Sequence, residues 1–195
     1  MTIERFRHEY YFLSNMYPID PPGGINVGNG LTVPTVEHIY KASRFTEMSD
    51  KTAVLGAPNG FAAKNIADKL EKGGASIRAE WSKLRLPVMR ASVALKFGQN
   101  PVLAGKLVET GNEELVEGTR GEKYSFWGVA PIGSRNGLNW LGKILMDTRQ
   151  ILNGQLDTTG LHPERILNDA SILAPENIDD TPIHYMARIL MLTDK

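Results

Sequence analysis

Apolar positions recur at helical spacing through most of this chain, and short β-branched runs set off by glycine fill much of the rest. The clearest stretch is PTVEHIYKASRF, residues 34–45, where Pro34 and a capping Thr35 precede apolar positions at Val36, Ile39, Tyr40 and Ser43. That spacing predicts a helix beginning after Thr35. Upstream, residues 5–17 carry Phe6, Tyr10, Tyr11, Phe12 and Leu13, which predicts an early strand running into a turn at Ser14-Asn15. Residues 23–33, GGINVGNGLTV, predict a hairpin, because glycine and asparagine at Gly28-Asn29-Gly30 accept positive φ.

Downstream, breaks at residues 56–60 and at Gly73-Gly74 bracket an alanine-rich helix over 61–70, with Lys64, Lys69 and Lys72 read as solvated. Val88 through Phe97 suit a buried helix that stops near Gly98. Asn100-Pro101 open a helix ending at Gly111. Residues 112–129 read as strand, polar turn and strand, with Trp127-Gly128 on the second strand. A glycine-rich stretch, 133–142, then leads into a last core helix. From Gly154 on, prolines at 163, 175 and 182 break short helical pieces, the last being PIHYMARILML behind Asp180 and Thr181. The expected architecture is a single α+β domain, mostly helical, whose small antiparallel sheet draws on the N-terminal hairpin and residues 116–129. Residues 1–153 form its main body and 154–195 a helical appendage.

Composition narrows the functional classes. Lys+Arg and Asp+Glu each total 22 in 195 residues, so no global charge draws the chain to extended duplex or an anionic membrane. The absence of cysteine excludes disulfides, thiolate metal sites and a cysteine nucleophile. Four scattered histidines, His8, His38, His162 and His184, give little ground for zinc. No apolar run approaches the roughly twenty residues a spanning helix needs, and a cytosolic (cytoplasmic) compartment is expected.

The candidate chemistry starts on the first helix. Glu37 lies in its first turn, where the helix dipole favours a carboxylate and is expected to keep it ionised; Lys41 follows one turn on, and Arg44 a further turn away. The same stripe also reads as an ordinary solvated face with an i,i+4 ion pair. Ser14 and Asn15 suit a turn, or hydroxyl and amide contacts to a polar ligand. Trp81, beside Lys83 and Arg85, fits a core edge or a stacking platform. The 133–142 loop can offer free N–H groups to phosphate, without the dinucleotide or P-loop spacing.

Taken together, FLSNM, TVEHIYKASRF, Trp81 with VMRASVALKFGQNP, LVETGNEELVEGT, FWG and GLNWLGKILMDTR resemble the NADAR (YbiA-like) family in order and spacing, over residues 6–150. The resemblance implies a YbiA-like fold and a catalytic domain over 1–153. It also implies hydrolysis of the bond between ribose C1 and an amino nitrogen, either in ADP-ribose attached to guanine or in ribosylamino intermediates of riboflavin biosynthesis. By the same resemblance Glu37 is the acid/base carboxylate, Trp81 and Trp127 are aromatic walls, and Ser14, Asn15 and Asn139 are polar contacts, with Gly128 beside Trp127. The family usually has glutamine where this chain has Lys41 and lysine where it has Arg44. Its aspartate before Trp-Gly is missing, the nearest acid being Glu122.

Chemically, cleavage of a ribosylamine asks for a carboxylate near C1 and a proton for the departing nitrogen. Glu37 and Glu122 are the candidate carboxyls. Lys41 offers an imine route, and the planar fork of Arg44 suits a phosphate. No cofactor or metal is called for. The expected partners are an ADP-ribosylated guanine nucleotide or a short single-stranded nucleic acid, and the rival class is a module that binds ADP-ribose without cutting it.

Overall fold

The computed structural model describes residues 1–19, 24–28, 30–121, 125–154, 156–157, 159–168 and 181–191. It is mostly helical with small two-stranded sheets, an α+β arrangement as expected. In chain order, β1 (Thr2–Ile3) leads to a 3-10 helix (His8–Leu13), then β2 (Ile25–Asn26), β3 (Thr32–Val33) and α1 (Val36–Ala42). Next come α2 (Met48–Leu55), α3 (Gly60–Lys72), α4 (Trp81–Gly98), α5 (Pro101–Glu109), β4 (Glu114–Leu115) and α6 (Trp140–Gly154). β5 (Leu156–Asp157), β6 (Gly160–Leu161), a second 3-10 helix (Pro163–Asn168) and α7 (Pro182–Met191) follow. Two compact units emerge: Met1–Ser14 with Asn100–Pro163, and Asn15–Gln99 with Glu164–Lys195.

In the unit containing α1, the hairpin forms as expected: β2 and β3 pair antiparallel, Ile25 opposite Val33, with Gly28 and Gly30 at positive φ. α1 packs against α2, α3 and α4, while α7 lies on α4. Val36, Ile39, Ala42 and Phe45 are buried, as are Val88, Met89 and Ala91 to Phe97 along α4. That helix is longer than its apolar run indicated, starting at Trp81 and continuing through Pro87. A proline there gives up the N–H that would reach the carbonyl four residues back, a local loss offset by the apolar burial that follows.

The other unit pairs β1 with β4, packs α5 on α6, and sets α6 against β4. Here two expectations fail. The predicted strand over 5–17 is a 3-10 helix from His8 to Leu13, with His8 at φ 53°. Phe12 and Leu13 are both buried; adjacent residues of a strand would point to opposite faces, one of them to solvent at a half-covered edge, whereas a tight helical turn can bury both. The antiparallel pairing expected within 116–129 is also absent among the described residues. β4 pairs parallel with β1, and Gly118 bridges Val129 in parallel. Close backbone approach explains the geometry: a Cβ on Gly128 would collide with the Glu117 carbonyl oxygen, and one on Gly118 with that of Glu4.

Candidate active site

α1 is fixed at its start by three neighbours. Thr35 is its N-cap, and its hydroxyl oxygen accepts from the His38 backbone N–H. His38 Nδ1 lies 2.8 Å from that hydroxyl and Nε2 lies 2.9 Å from the Ala57 carbonyl. A carbonyl only accepts, so Nε2 carries the proton and Nδ1 takes one from Thr35. Burial, opposed by the bond to Ala57, lowers the His38 pKa, consistent with this neutral ring. The Glu37 N–H, otherwise free in the first turn, donates to the Asn15 carbonyl at 3.1 Å. Asn15 therefore caps the helix through its backbone, while its side-chain amide reaches Met89 Sδ at 3.3 Å.

Glu37 is buried, with 8 % of its surface exposed. Burial raises its carboxyl pKa above the ordinary value; Lys41, Lys64 and Arg44 pull it down, and Asp68 pushes it up. Desolvation outweighs the nearby cations, so the placement at the helix start does not by itself set the pKa of this carboxyl.

The polar stripe of α1 faces α3 rather than open solvent. Lys41 Nζ lies 3.2 Å from Asp68 Oδ1, and Lys64 Nζ lies 2.7 Å from Asp68 Oδ2. Burial pushes the Asp68 carboxyl up, but the bonds from Lys64 and Lys41 outweigh it and hold it below the usual range. Arg44 Nη2 pairs with Glu71 Oε1 at 2.7 Å, and its buried Nε has no hydrogen-bond partner among the described residues. Lys64, expected to be simply solvated, thus joins a four-charge cluster with Glu37, Lys41 and Asp68. Asp68 and Glu71 escaped the sequence reading, although with Lys64 they form an i, i+4, i+7 polar stripe on α3. Trp81 is half-buried, its ring 5.3 Å from that of Tyr40 on α1.

Lys96, on the buried face of α4, also went unnoticed. Its side chain is 1 % exposed, its amine stands over the Tyr17 ring at 5.6 Å, and burial pushes its pKa down to about 7. A lysine within an apolar helical run was the available signal.

Trp127, Gly128 and Asn139 belong to the other unit. Trp127 is half-buried and meets Phe126 edge to face at 4.9 Å. Gly128 N–H donates to Ser125 Oγ, and its carbonyl accepts from the Asn139 N–H at 3.1 Å. Asn139, at φ 50°, spends both ends of its amide on the chain: Oδ1 accepts from the Glu117 N–H at 3.0 Å and Nδ2 donates to the Leu115 carbonyl at 2.9 Å. Beside them Glu117, another residue the sequence reading passed over, has its Oε2 buried without a hydrogen-bond partner among the described residues. Burial, opposed by Arg7, pushes its carboxyl up to about 7. Ser14 is half-buried at the end of the first 3-10 helix. Glu122 lies outside the described residues. A cleft of about 1070 Å³ beside His8, Lys106 and Glu113 is lined by none of the candidate residues.

Fold and site together define an α+β protein with a buried, helix-borne carboxyl set among lysines and an arginine, and an indole against the same helix. The chain belongs to the NADAR family: the NADAR domain matches residues 3–153. It is 36% identical over 141 residues to a riboflavin biosynthesis protein of Vibrio vulnificus, which covers 72% of this chain and 35% of that one. It is 32% identical over 142 residues to an N-glycosidase of Nostoc punctiforme, covering 72% of this chain and 87% of the relative. The NMR structure of the E. coli protein YbiA superposes with a TM-score of 0.62 at 26% identity, over 78% of this chain and 84% of that one. The chain therefore spans about a third of the length of the Vibrio relative and most of the Nostoc one. Among the described residues no helix is long and apolar enough to cross a membrane.

Proposed function

We propose that this chain hydrolyses the bond between ribose C1 and an exocyclic amine on a flat heteroaromatic ring, with Glu37 as the acid/base group. The observation that carries this reading is the environment of Glu37: a carboxyl buried at a helix start, raised by desolvation, yet ringed by Lys41, Lys64 and Arg44. Such a group is used twice in one turnover. In its protonated form it gives its proton to the departing nitrogen as the C1–N bond breaks. The carboxylate left behind stabilises the positive charge at C1 and takes a proton from the incoming water as its oxygen bonds to C1. The products are the free amine and a ribosyl hemiacetal, and Glu37 is restored.

In this reading the planar guanidinium of Arg44 holds a phosphate of the substrate, and Trp81 stacks on the ring. Lys41 acts through charge. Its engagement by Asp68 ties up the amine that the imine route would use. The names of the relatives, an N-glycosidase and a riboflavin biosynthesis protein, support cleavage of an N-glycosyl bond.

Between the two substrate types we favour removal of ADP-ribose from guanine, in a nucleotide or short single strand. Lys41 and Arg44 stand at the end of α1, where by the resemblance the family usually carries glutamine and lysine, and the chain adds α7 beyond the matched domain. Incubating the purified protein separately with ADP-ribosylated guanosine monophosphate and with the ribosylamino-pyrimidine phosphate decides the matter. Release from the first supports this reading, release only from the second transfers the activity to riboflavin intermediates, and binding without release makes it a recognition module.

A further inference from the structure

Arg78 lies between α3 and α4, on no motif, yet it is buried, with 7 % of its surface exposed. Its backbone N–H donates to the Arg44 carbonyl at 2.9 Å, and its Nε donates to the Ser43 carbonyl at 3.1 Å. Its Nη2 reaches the Ile189 carbonyl of α7 at 3.0 Å. Ser43 and Arg44 sit where α1 ends, and Ile189 lies in the last turn of α7, so these are carbonyls a helix terminus leaves free. One guanidinium thus caps the C-terminal ends of two helices, where the partial negative charge of each dipole favours a cation.

The two helices differ in origin. α1 carries Glu37, Lys41 and the turn to Arg44, whereas α7 lies wholly beyond residues 3–153. α7 is nonetheless built into this unit: Tyr185, Met186, Ile189 and Leu190 are buried, and Ala187 sits so close to Gly28 that a Cβ there would be 2.8 Å away. Local pairing also ties Arg44's neighbours to the approach of Arg78, through the Phe45–Ile77 bridge and the Thr46 N–H bond to the Ser76 carbonyl.

We propose that Arg78 is a positioning residue that sets Arg44, with α7 as its anchor, so that the segment beyond the family domain determines how well the site holds a phosphate. The proposal rests on the reading of Arg44 as a phosphate clamp. Arg44's guanidinium is steadied at its tip by Glu71 and at its backbone by Arg78, and its buried Nε has no hydrogen-bond partner among the described residues. Losing the Arg78 side chain leaves the backbone bond and the Phe45–Ile77 bridge in place but frees the Ser43 and Ile189 carbonyls.

The test compares Arg78→Gln and Arg78→Lys with the parent protein. For the phosphate-bearing substrate, Arg78→Gln raises KM about tenfold with kcat within about twofold, and Arg78→Lys recovers part of the loss. For the matching ribosylamine without phosphate, KM stays within about twofold. Amide hydrogen exchange in Arg78→Gln quickens both in residues 182–191 and at the end of α1. A merely structural role would lower kcat equally for both substrates, and that result overturns the proposal, as does unchanged exchange in α7. If the parent turns over neither substrate, the hydrolase reading fails on its own, and calorimetric titration with ADP-ribose decides the positioning role. Weaker binding by Arg78→Gln supports it; equal binding, or no binding by the parent, overturns it.

Discussion

Lys41 on α1 and Asp68 on α3 stand 3.2 Å apart, and the same carboxylate holds Lys64 at 2.7 Å. This shared anchor keeps two ammonium groups beside the buried carboxyl of Glu37, where both lower its pKa while Asp68 itself raises it. The charge of Asp68 therefore tunes the acid/base group from one helix away.

Asp68→Asn follows directly. It removes a negative charge that raises the Glu37 pKa and leaves Lys41, Lys64 and Arg44 as the opposing cations. The alkaline limb of the kcat/KM profile, where Glu37 loses the proton that the departing nitrogen needs, moves to lower pH. A limb displaced to higher pH would contradict the arrangement.

Thr35→Ala removes the cap of α1 and the hydroxyl partner of His38 Nδ1. Such a change costs about 1–2 kcal/mol, read as a lower urea midpoint at unchanged m-value. Because Glu37 lies two residues beyond the cap, kcat falls as well.

Glu117 gives a prediction for stability against pH. Its folded pKa is raised from 4.5 to about 7, so its contribution is fully present below the unfolded value and is lost as pH rises through about 7. Relative to the parent, Glu117→Gln gains stability between about pH 5 and about pH 8, by up to roughly 3 kcal/mol. Denaturant midpoints across that range check it, and a widening deficit at high pH would contradict it.

Local signals carried the readable part of this molecule. The cap and spacing of Thr35, Val36 and Ile39 placed α1, and the positive φ that Gly28 and Gly30 adopt placed the hairpin. Glu37 was readable because its helix and its motif were. Its raised pKa was not, since burial comes from α1 packing against α2, α3 and α4. The 3-10 helix at His8–Leu13 defeated an aromatic-rich strand signal because Phe12 and Leu13 both turn inward. Asp68, Glu71 and Arg78 meet α1 from 27 to 35 residues away, and no local pattern announces such encounters.

The decisive measurement is the rate at which purified protein releases free guanosine monophosphate from its ADP-ribosylated form, compared with Glu37→Gln at matched folded concentration. The account predicts steady release by the parent and a rate lowered about 10²–10⁴-fold in the variant, with its thermal midpoint preserved. Equal rates for the two proteins would contradict it.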